Sequence, residues 1–425
     1  MAQQLYFSRD TKVYVEIGTT IWEIPVLDGF SFSQATNSSE ITLAEMESTG
    51  GVSRRGRKQF NDSLAPAEWS FSTYVRPFKS AGSGTGAADD DAGKVHAVEE
   101  ALWALFSGPA AYTGFTFTDQ FLSDTTDLNI DFSESNKSTL GTGNFYFVLG
   151  GANRKVYKLT GCVVNEAAID FDIDGIASIN WSGMSSEIVD MTNSTITQDA
   201  IPAFNATTAD SSTVEVGDVW LDSDAGHRLS TLLTVPGSGN CTSSAHVYEA
   251  VSSTKNFIRN RITTLAVAPT SQNPTGDGSN ELEASYALTL TGGNITMTNN
   301  VNFITPEEIG LVNVPIGHVT GTRSVSGSMT CYLSKDTTAT NHSTDLWEDL
   351  KSITSVVTNS FALTFNIGGT TSDTPRLVVS MPTCHLEIPT HSIEDVISVE
   401  TNFNALPSTI DGTNEATLIY HGITL

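Results

Sequence analysis

The chain has 425 residues, 21 Lys and Arg against 48 Asp and Glu, and a net charge of −27. Only 16% of residues are charged while 102 are Ser or Thr, so its polarity is mostly hydroxyl. That excludes a basic nucleic-acid binder, which needs clustered cations, and 39% hydrophobic content with 20 Phe, 10 Tyr and 6 Trp excludes wholesale disorder.

The opening MAQQLYFSRDTKVYVEIG lacks the apolar run of a secretory signal, so cytoplasmic synthesis is expected. KVYVEIG, FSFSQATN, AEWSFSTYV, FTFTDQF, LNIDFSES, NFYFVLG and IDFDIDGIASINW then alternate apolar and polar residues, which predicts strands. The texture returns in FIRNRITTLAVAP, YALTLTGGNITMTN, SVSGSMTCYL, FALTFNIGG, RLVVSMP and VISVETNFNAL. Helical spacing is confined to Lys94 to Gly108 and Ser343 to Ser352, and the apolar stretch at Ala101 to Phe106 is too short to cross a membrane.

The two helices each carry a Leu-Trp pair, Leu102-Trp103 and Leu346-Trp347. SFSQATN at Ser31 resembles TMTNNVN at Thr296, SFSTYV at Ser70 resembles SMTCYL at Ser328, and IDGIASI at Ile173 resembles IEDVISV at Ile393. The matches keep one order, which reads as an internal duplication. The expected division is a first domain at 1–191, a linker with some strands of its own at 192–255, and a second domain at 256–425.

No catalytic motif appears, and no His, Cys or acidic spacing calls for a metal or cofactor. Cys162, Cys241, Cys331 and Cys384 read as reduced thiols, with Cys162 and Cys384 at equivalent places. Asp170, Asp172 and Asp174 at i, i+2 and i+4 would share one face of a strand, either an ordinary solvated face or a wall that repels a passing polyanion. Residues 41–66 form a long loop with the chain's one basic cluster, Arg54, Arg55, Arg57 and Lys58, and apolar anchor candidates Ile41, Leu43, Met46 and Phe60. The corresponding second loop carries Glu307 and Glu308, and opposite charge bias in equivalent loops suits self-association.

The order of strand, Arg-rich loop SRRGRKQFNDSLAP, strand AEWSFSTYVRP, helix around LWALFSG and late strand IDFDIDGIASINWSG resembles the major tail tube proteins of tailed bacteriophages. The resemblance implies a mainly β protein of two tandem sandwich or barrel domains, each with a flanking helix. It implies a non-enzymatic virion protein of the tail whose partners are itself in stacked, trimeric rings, and the tape measure, terminator and baseplate or tail-tip proteins. DNA would be in transit only, with no specific binding and no membrane insertion. The competing reading is a decoration or receptor-binding module whose hydroxyl-rich loops contact carbohydrate.

Overall fold

Alternation at period two leaves each strand one apolar and one polar face, and the computed structural model assembles these strands into two layers. It describes residues 5–18, 20–41, 58–80, 93–107, 122–123, 127–132, 140–150, 154–198, 203–204, 219–222, 228–234, 239–240, 242–244, 253–270, 285–309, 312–335, 342–352, 360–371, 374–393, 395–410 and 412–424. The first half runs β1 (Lys12–Ile17), β2 (Thr20–Ile24), β3 (Ser31–Ser33), β4 (Thr36–Glu40), β5 (Gln59–Leu64), β6 (Ala67–Tyr74), β7 (Pro77–Lys79), β8 (Val95–Ala97) and α1 (Glu100–Ser107). It continues through β9 (Leu122–Ser123), β10 (Leu128–Asp131), β11 (Gly143–Leu149), β12 (Lys155–Asp172), β13 (Ser178–Ser185) and β14 (Glu187–Asp190). A middle group follows: β15 (Ile196–Gln198), β16 (Ala203–Phe204), β17 (Val219–Asp222), β18 (Arg228–Thr234), β19 (Gly239–Asn240) and β20 (Thr242–Ser244). The second half has β21 (Thr264–Pro269), β22 (Tyr286–Ala287), β23 (Leu290–Thr298), β24 (Asn302–Ile304), β25 (Gly317–Val319), β26 (Ser324–Tyr332) and α2 (Ser343–Ser352). It ends in β27 (Phe361–Ile367), β28 (Arg376–Leu386), β29 (Thr390–Ser392), β30 (Ser398–Ala405) and β31 (Thr417–His421).

The two longest strands each serve both layers. Lys155 to Cys162 of β12 pairs with β11, and Val163 to Asp170 pairs with β13. Likewise β28 pairs with β27 along Leu377 to Cys384, and with β30 at Cys384 to Leu386. One layer is thus β2-β1-β11-β12-β14 in the first half and β22-β21-β27-β28-β31 in the second. The other is β3-β6-β13-β12 followed by β23-β26-β30, with β28 and β29 against β30. Between the layers lies one continuous apolar core, in which Trp69 meets Phe145 at 4.6 Å and Phe365 meets Phe403 at 5.7 Å.

Two cross-strand pairs set a large aromatic ring against a glycine. In the first half Trp69 on β6 faces Gly183 on β13, whereas in the second Gly327 on β26 faces Phe403 on β30. A Cβ on Gly183 would lie 2.0 Å from the Val163 carbonyl and 2.5 Å from the Trp69 ring, and one on Gly327 would lie 2.6 Å from the Phe403 ring.

Two strand pairings join the halves. Glu166 to Asp172 of β12 pairs with β23, and β10 pairs with β31, the last strand of the second half. Across the second seam Trp103 Nε1 donates to the Tyr420 hydroxyl at 2.7 Å, and the Arg323 guanidinium, paired with Glu415 at 2.9 Å, lies over Phe132. Glu99 is enclosed here and accepts the Arg76 backbone N–H at 3.3 Å. Burial pushes its carboxyl up to about 7, against hydrogen bonds that act to lower it.

Two sequence readings are revised. The first helix begins at Glu100, not Lys94, because fully buried Val95 to Ala97 pair with β7 and the Glu100 carboxylate takes the Ala97 N–H at 3.1 Å. IDFDIDGIASINW is two strands with a turn at 173–176 rather than one. FTFTDQF lies outside the described residues. The 192–255 stretch holds a small sheet, β15-β17-β18-β20, whose Val219, Leu221 and Leu229 pack on Tyr14, Ile21 and Tyr146 at the back of the first half. Cys162, Cys331 and Cys384 are buried free thiols, and Cys162 and Cys384 each direct the sulfur to the carbonyl three residues earlier.

Adding a methyl at Gly183 or Gly327 should cost about 1–3 kcal/mol through overpacking. Gly183→Ala and Gly327→Ala should both lower the thermal midpoint while Ser324→Ala, at an exposed position of the same strand as Gly327, does not, and unchanged midpoints would refute the close packing. Between pH ~4.5 and ~7 the folded state holds a proton on Glu99 that the unfolded chain has lost, so stability falls as pH rises through that window, by about 3 kcal/mol, and is flat above it. Denaturant melts of Glu99→Gln should lack that decline.

Candidate lumen surface and assembly edges

The paired strands β3, β6, β13, β12, β23, β26 and β30, with β28 and β29, turn their polar residues to one side. The register aligns these into rungs across both halves. One runs Ser72, Asn180, Ala168, Thr296, Ser326, Asn404 and His385; the next runs Tyr74, Ser178, Asp170, Asn294, Ser328 and Asn402. Ser72 Oγ donates to Asn180 Oδ1 at 2.6 Å, Asn180 Nδ2 donates to Asp170, and Asn402 Nδ2 donates to Glu387 at 2.9 Å. Such side-chain ladders hold the long axes of neighbouring strands in step.

The face carries Glu68, Glu166, Asp170, Asp172, Glu387 and Glu400, and among the described residues of these strands no Lys or Arg projects from it. Its acids are spaced by Ser, Thr and Asn. Burial raises the Asp170 carboxyl above the ordinary carboxylate range, the Asn180 hydrogen bond acts against this, and the neighbouring Asp172 adds to it. Hydroxyls, amides and isolated carboxylates can repel and lubricate a polyanion, but they offer it no cation to rest on.

Asp170 and Asp172 therefore share the face foreseen for them, opposite buried Phe171. Asp174 does not: β12 ends at Asp172, and Asp174 sits in the following turn, ion-paired with Arg261 at 3.2 Å. Sequence reading missed Glu68, Glu166 and Glu400, though each occupies the polar phase of an alternating strand, a signal the pattern already contained.

Both ends of this sheet present an unfilled edge among the described residues. β3 pairs with β6 on one side only, and at the far end β28 and β29 pair with β30 on one side only along His385 to Ser392. Inside the chain the same kind of edge on β12 is occupied by β23. Two loops project from the sheet's end. β4 and β5 form a hairpin with exposed Ile41, Phe60 and Lys58. β24 and β25 carry the other, with exposed Glu307, Glu308 and an apolar series in which Ile309 and Ile316 stand clear of the surface. The loops touch, because Leu64 N–H donates to the Asn313 carbonyl at 2.8 Å. Leu43, Met46, Arg54, Arg55 and Arg57 lie outside the described residues.

An acidic sheet face with an unpaired edge at each end, among the described residues, is a surface on which a further strand can add. Residues 236–405 match the phage tail tube protein family. The chain is also 27% identical over 422 residues to the tail tube protein pb6 of Escherichia phage T5, covering 97% of this chain and 75% of that protein. Both likenesses support a phage tail tube protein, a β-rich structural component of a virion tail. None of the helices among the described residues is long and apolar enough to cross a membrane.

Proposed function

We propose that three copies of this chain close head-to-tail into a ring, that rings stack into the tail tube, and that the acidic sheet face lines a conduit for DNA delivered into the host. The observation that carries this reading is the single sheet running through both halves, whose one face bears no Lys or Arg and whose two ends are unpaired among the described residues. A head-to-tail contact closes when the rotation per junction divides the circle. If the chain is two copies of one fold, the β12–β23 junction is the template for the contact between chains, with β3 of the next copy adding to the β28–β29 edge. Three chains then supply six equivalent junctions. Eight strands per chain give about 24 around the lumen, and at roughly 4.8 Å per strand the backbone ring is about 37 Å across, enough for a duplex after side chains are added.

Axial stacking falls to residues 41–66 and the 302–319 loop, which carry opposite charge bias and exposed apolar side chains. The tape measure, terminator and tail-tip proteins would meet the ends of the tube through the same surfaces.

Class averages of the purified protein should show rings of three chains with six-fold pseudo-symmetry; rings of six chains would overturn the count. Asp170→Lys with Asp172→Lys should leave rings intact but slow or block DNA passage, because each phosphate would then meet an attractive site, whereas Asp174→Lys, in the turn beyond the face, should not. Location of Asp170 on the outer wall of an imaged tube would sink the lumen assignment. Exposed ion pairs are worth about 0–1 kcal/mol each, so stacking needs many of them plus apolar anchors. Changing Arg54, Arg55, Arg57 and Lys58 together to Glu should give single rings with unchanged circular dichroism, and tubes of normal length from that variant would place stacking elsewhere.

A further inference from the structure

The segments leading into β1 and β21 repeat one another. LYFSRDT at Leu5–Thr11 and FIRNRIT at Phe257–Thr263 align at a constant offset, 257 − 5 = 252. Each has an extended residue, Phe7 at φ −114° or Arg259 at φ −90°, and then a 3-10 turn, Ser8–Asp10 or Asn260–Ile262. Each turn is closed by a threonine N–H, from Thr11 to the Ser8 carbonyl or from Thr263 to the Asn260 carbonyl. The roots match as well: Asp10 lies against Gly150 after β11, and Ile262 against Gly369 after β27.

The second segment is seated on the first half. The Ile258 carbonyl accepts the Ala177 N–H at 3.0 Å, Asn260 N–H donates to the Gly175 carbonyl at 3.1 Å, and Ile176 faces Arg259 across an antiparallel bridge. Ile258 is 1% exposed as a result. The first segment is bare, with Leu5 69%, Tyr6 41% and Phe7 51% exposed.

A matching seat exists at the far end of the sheet. Val75 N–H donates to the Ala177 carbonyl at 2.9 Å where the first-half turn enters β13, and Leu333 N–H donates to the Ile397 carbonyl at 2.9 Å where the second-half turn enters β30. Ile397 thus stands in the place of Ala177, Val396 in that of Ile176 and Asp395 in that of Gly175. This turn is bare too, with Ile393 80%, Val396 59% and Ile397 38% exposed. The seat and the segment sit at opposite ends of one chain's strand order, so the occupant of each is a neighbouring copy.

We propose that Leu5–Asp10 of one copy docks on the turn carrying Asp395, Val396 and Ile397 of the next copy, as a clasp beside the β3 edge. The Tyr6 carbonyl takes the Ile397 N–H, Ser8 N–H donates to the Asp395 carbonyl, and Phe7 lies opposite Val396. Leu5, Tyr6 and Phe7 then bury against Ile393 and Val396, and Arg9 reaches the acidic turn as Arg261 reaches Asp174. The proposal rests on the head-to-tail ring reading.

Antiparallel partners have Cα atoms about 4.5–5.5 Å apart, within the ~4.4–6.8 Å that a disulfide spans. The full-length Phe7→Cys/Val396→Cys variant, assembled and oxidised, should therefore run as covalent dimers and trimers on non-reducing gels, while imaging shows normal rings. Either single variant, or Phe7→Cys with Ile410→Cys at a remote exposed site, should stay monomeric on the same gel. Normal rings without inter-chain bonds, a bond within one chain, or equal linking to position 410 would each overturn the clasp and leave the ring reading standing. Absence of rings from the unaltered protein would overturn both.

Discussion

The eighteen residues of β12 set the terms for the rest of the molecule. A strand of that length cannot bury one face along its whole course against a single layer, so β12 bulges between Val164 and Glu166 and passes from one layer to the other. Its first part closes the back layer with β11 and its second part carries Glu166, Ala168, Asp170 and Asp172 to the polar face. Because side chains alternate at period two, the same stretch must send Ala167, Ile169 and Phe171 inward, and Phe171 reaches Phe365 of the second half at 5.3 Å. The strand that builds the acidic surface is therefore also the one that locks the halves together.

That lock explains how a sheet edge is managed. An unpaired edge is a row of unsatisfied donors and acceptors, normally shortened, charged or covered. Within the chain β23 fills the edge of β12, in register over seven residue pairs. At the open end Pro389 removes one donor, and Ile388 is exposed between β28 and β29. On the ring reading this edge is limited against indiscriminate pairing and takes β3 of the next copy, a strand three residues long. A partner strand so short specifies register weakly by itself, and further contacts at either end are needed to fix it.

Much of this was legible in the sequence, for identifiable reasons. The strands and the scarcity of helix follow from alternation such as AEWSFSTY, and the polar-phase acids were visible wherever a strand was assigned correctly. Asp174 was misassigned because alternation continues through DFDIDG while the chain turns; the glycine at 175 was the available sign. The start of α1 was placed too early because Val95 and Ala97 fit a helical apolar stripe as well as they fit a buried short strand. The compensating Trp69–Gly183 and Gly327–Phe403 pairs required register, which sequence spacing alone does not supply. The likeness of LYFSRDT to FIRNRIT keeps only Arg and Thr in common, and only the shared 3-10 turn brings it out.

The spacing of charge on the polar face has its own logic. A chain of net charge −27 could have covered this surface with carboxylates, but adjacent acids on paired strands repel directly across about 5 Å and would destabilise the sheet that holds them. Asp170 already shows the cost, since burial and Asp172 both push its carboxyl toward the neutral form. Serine, threonine and asparagine in the intervening rungs satisfy one another and water without charge, as in the Ser72–Asn180–Asp170 chain. A few separated acids suffice to keep a potential of one sign along the surface, where no Lys or Arg projects among the described residues of its strands. On the conduit reading, low density of charge and strict exclusion of cations are two halves of one solution: the wall remains foldable, and the polyanion passing it finds no site to bind.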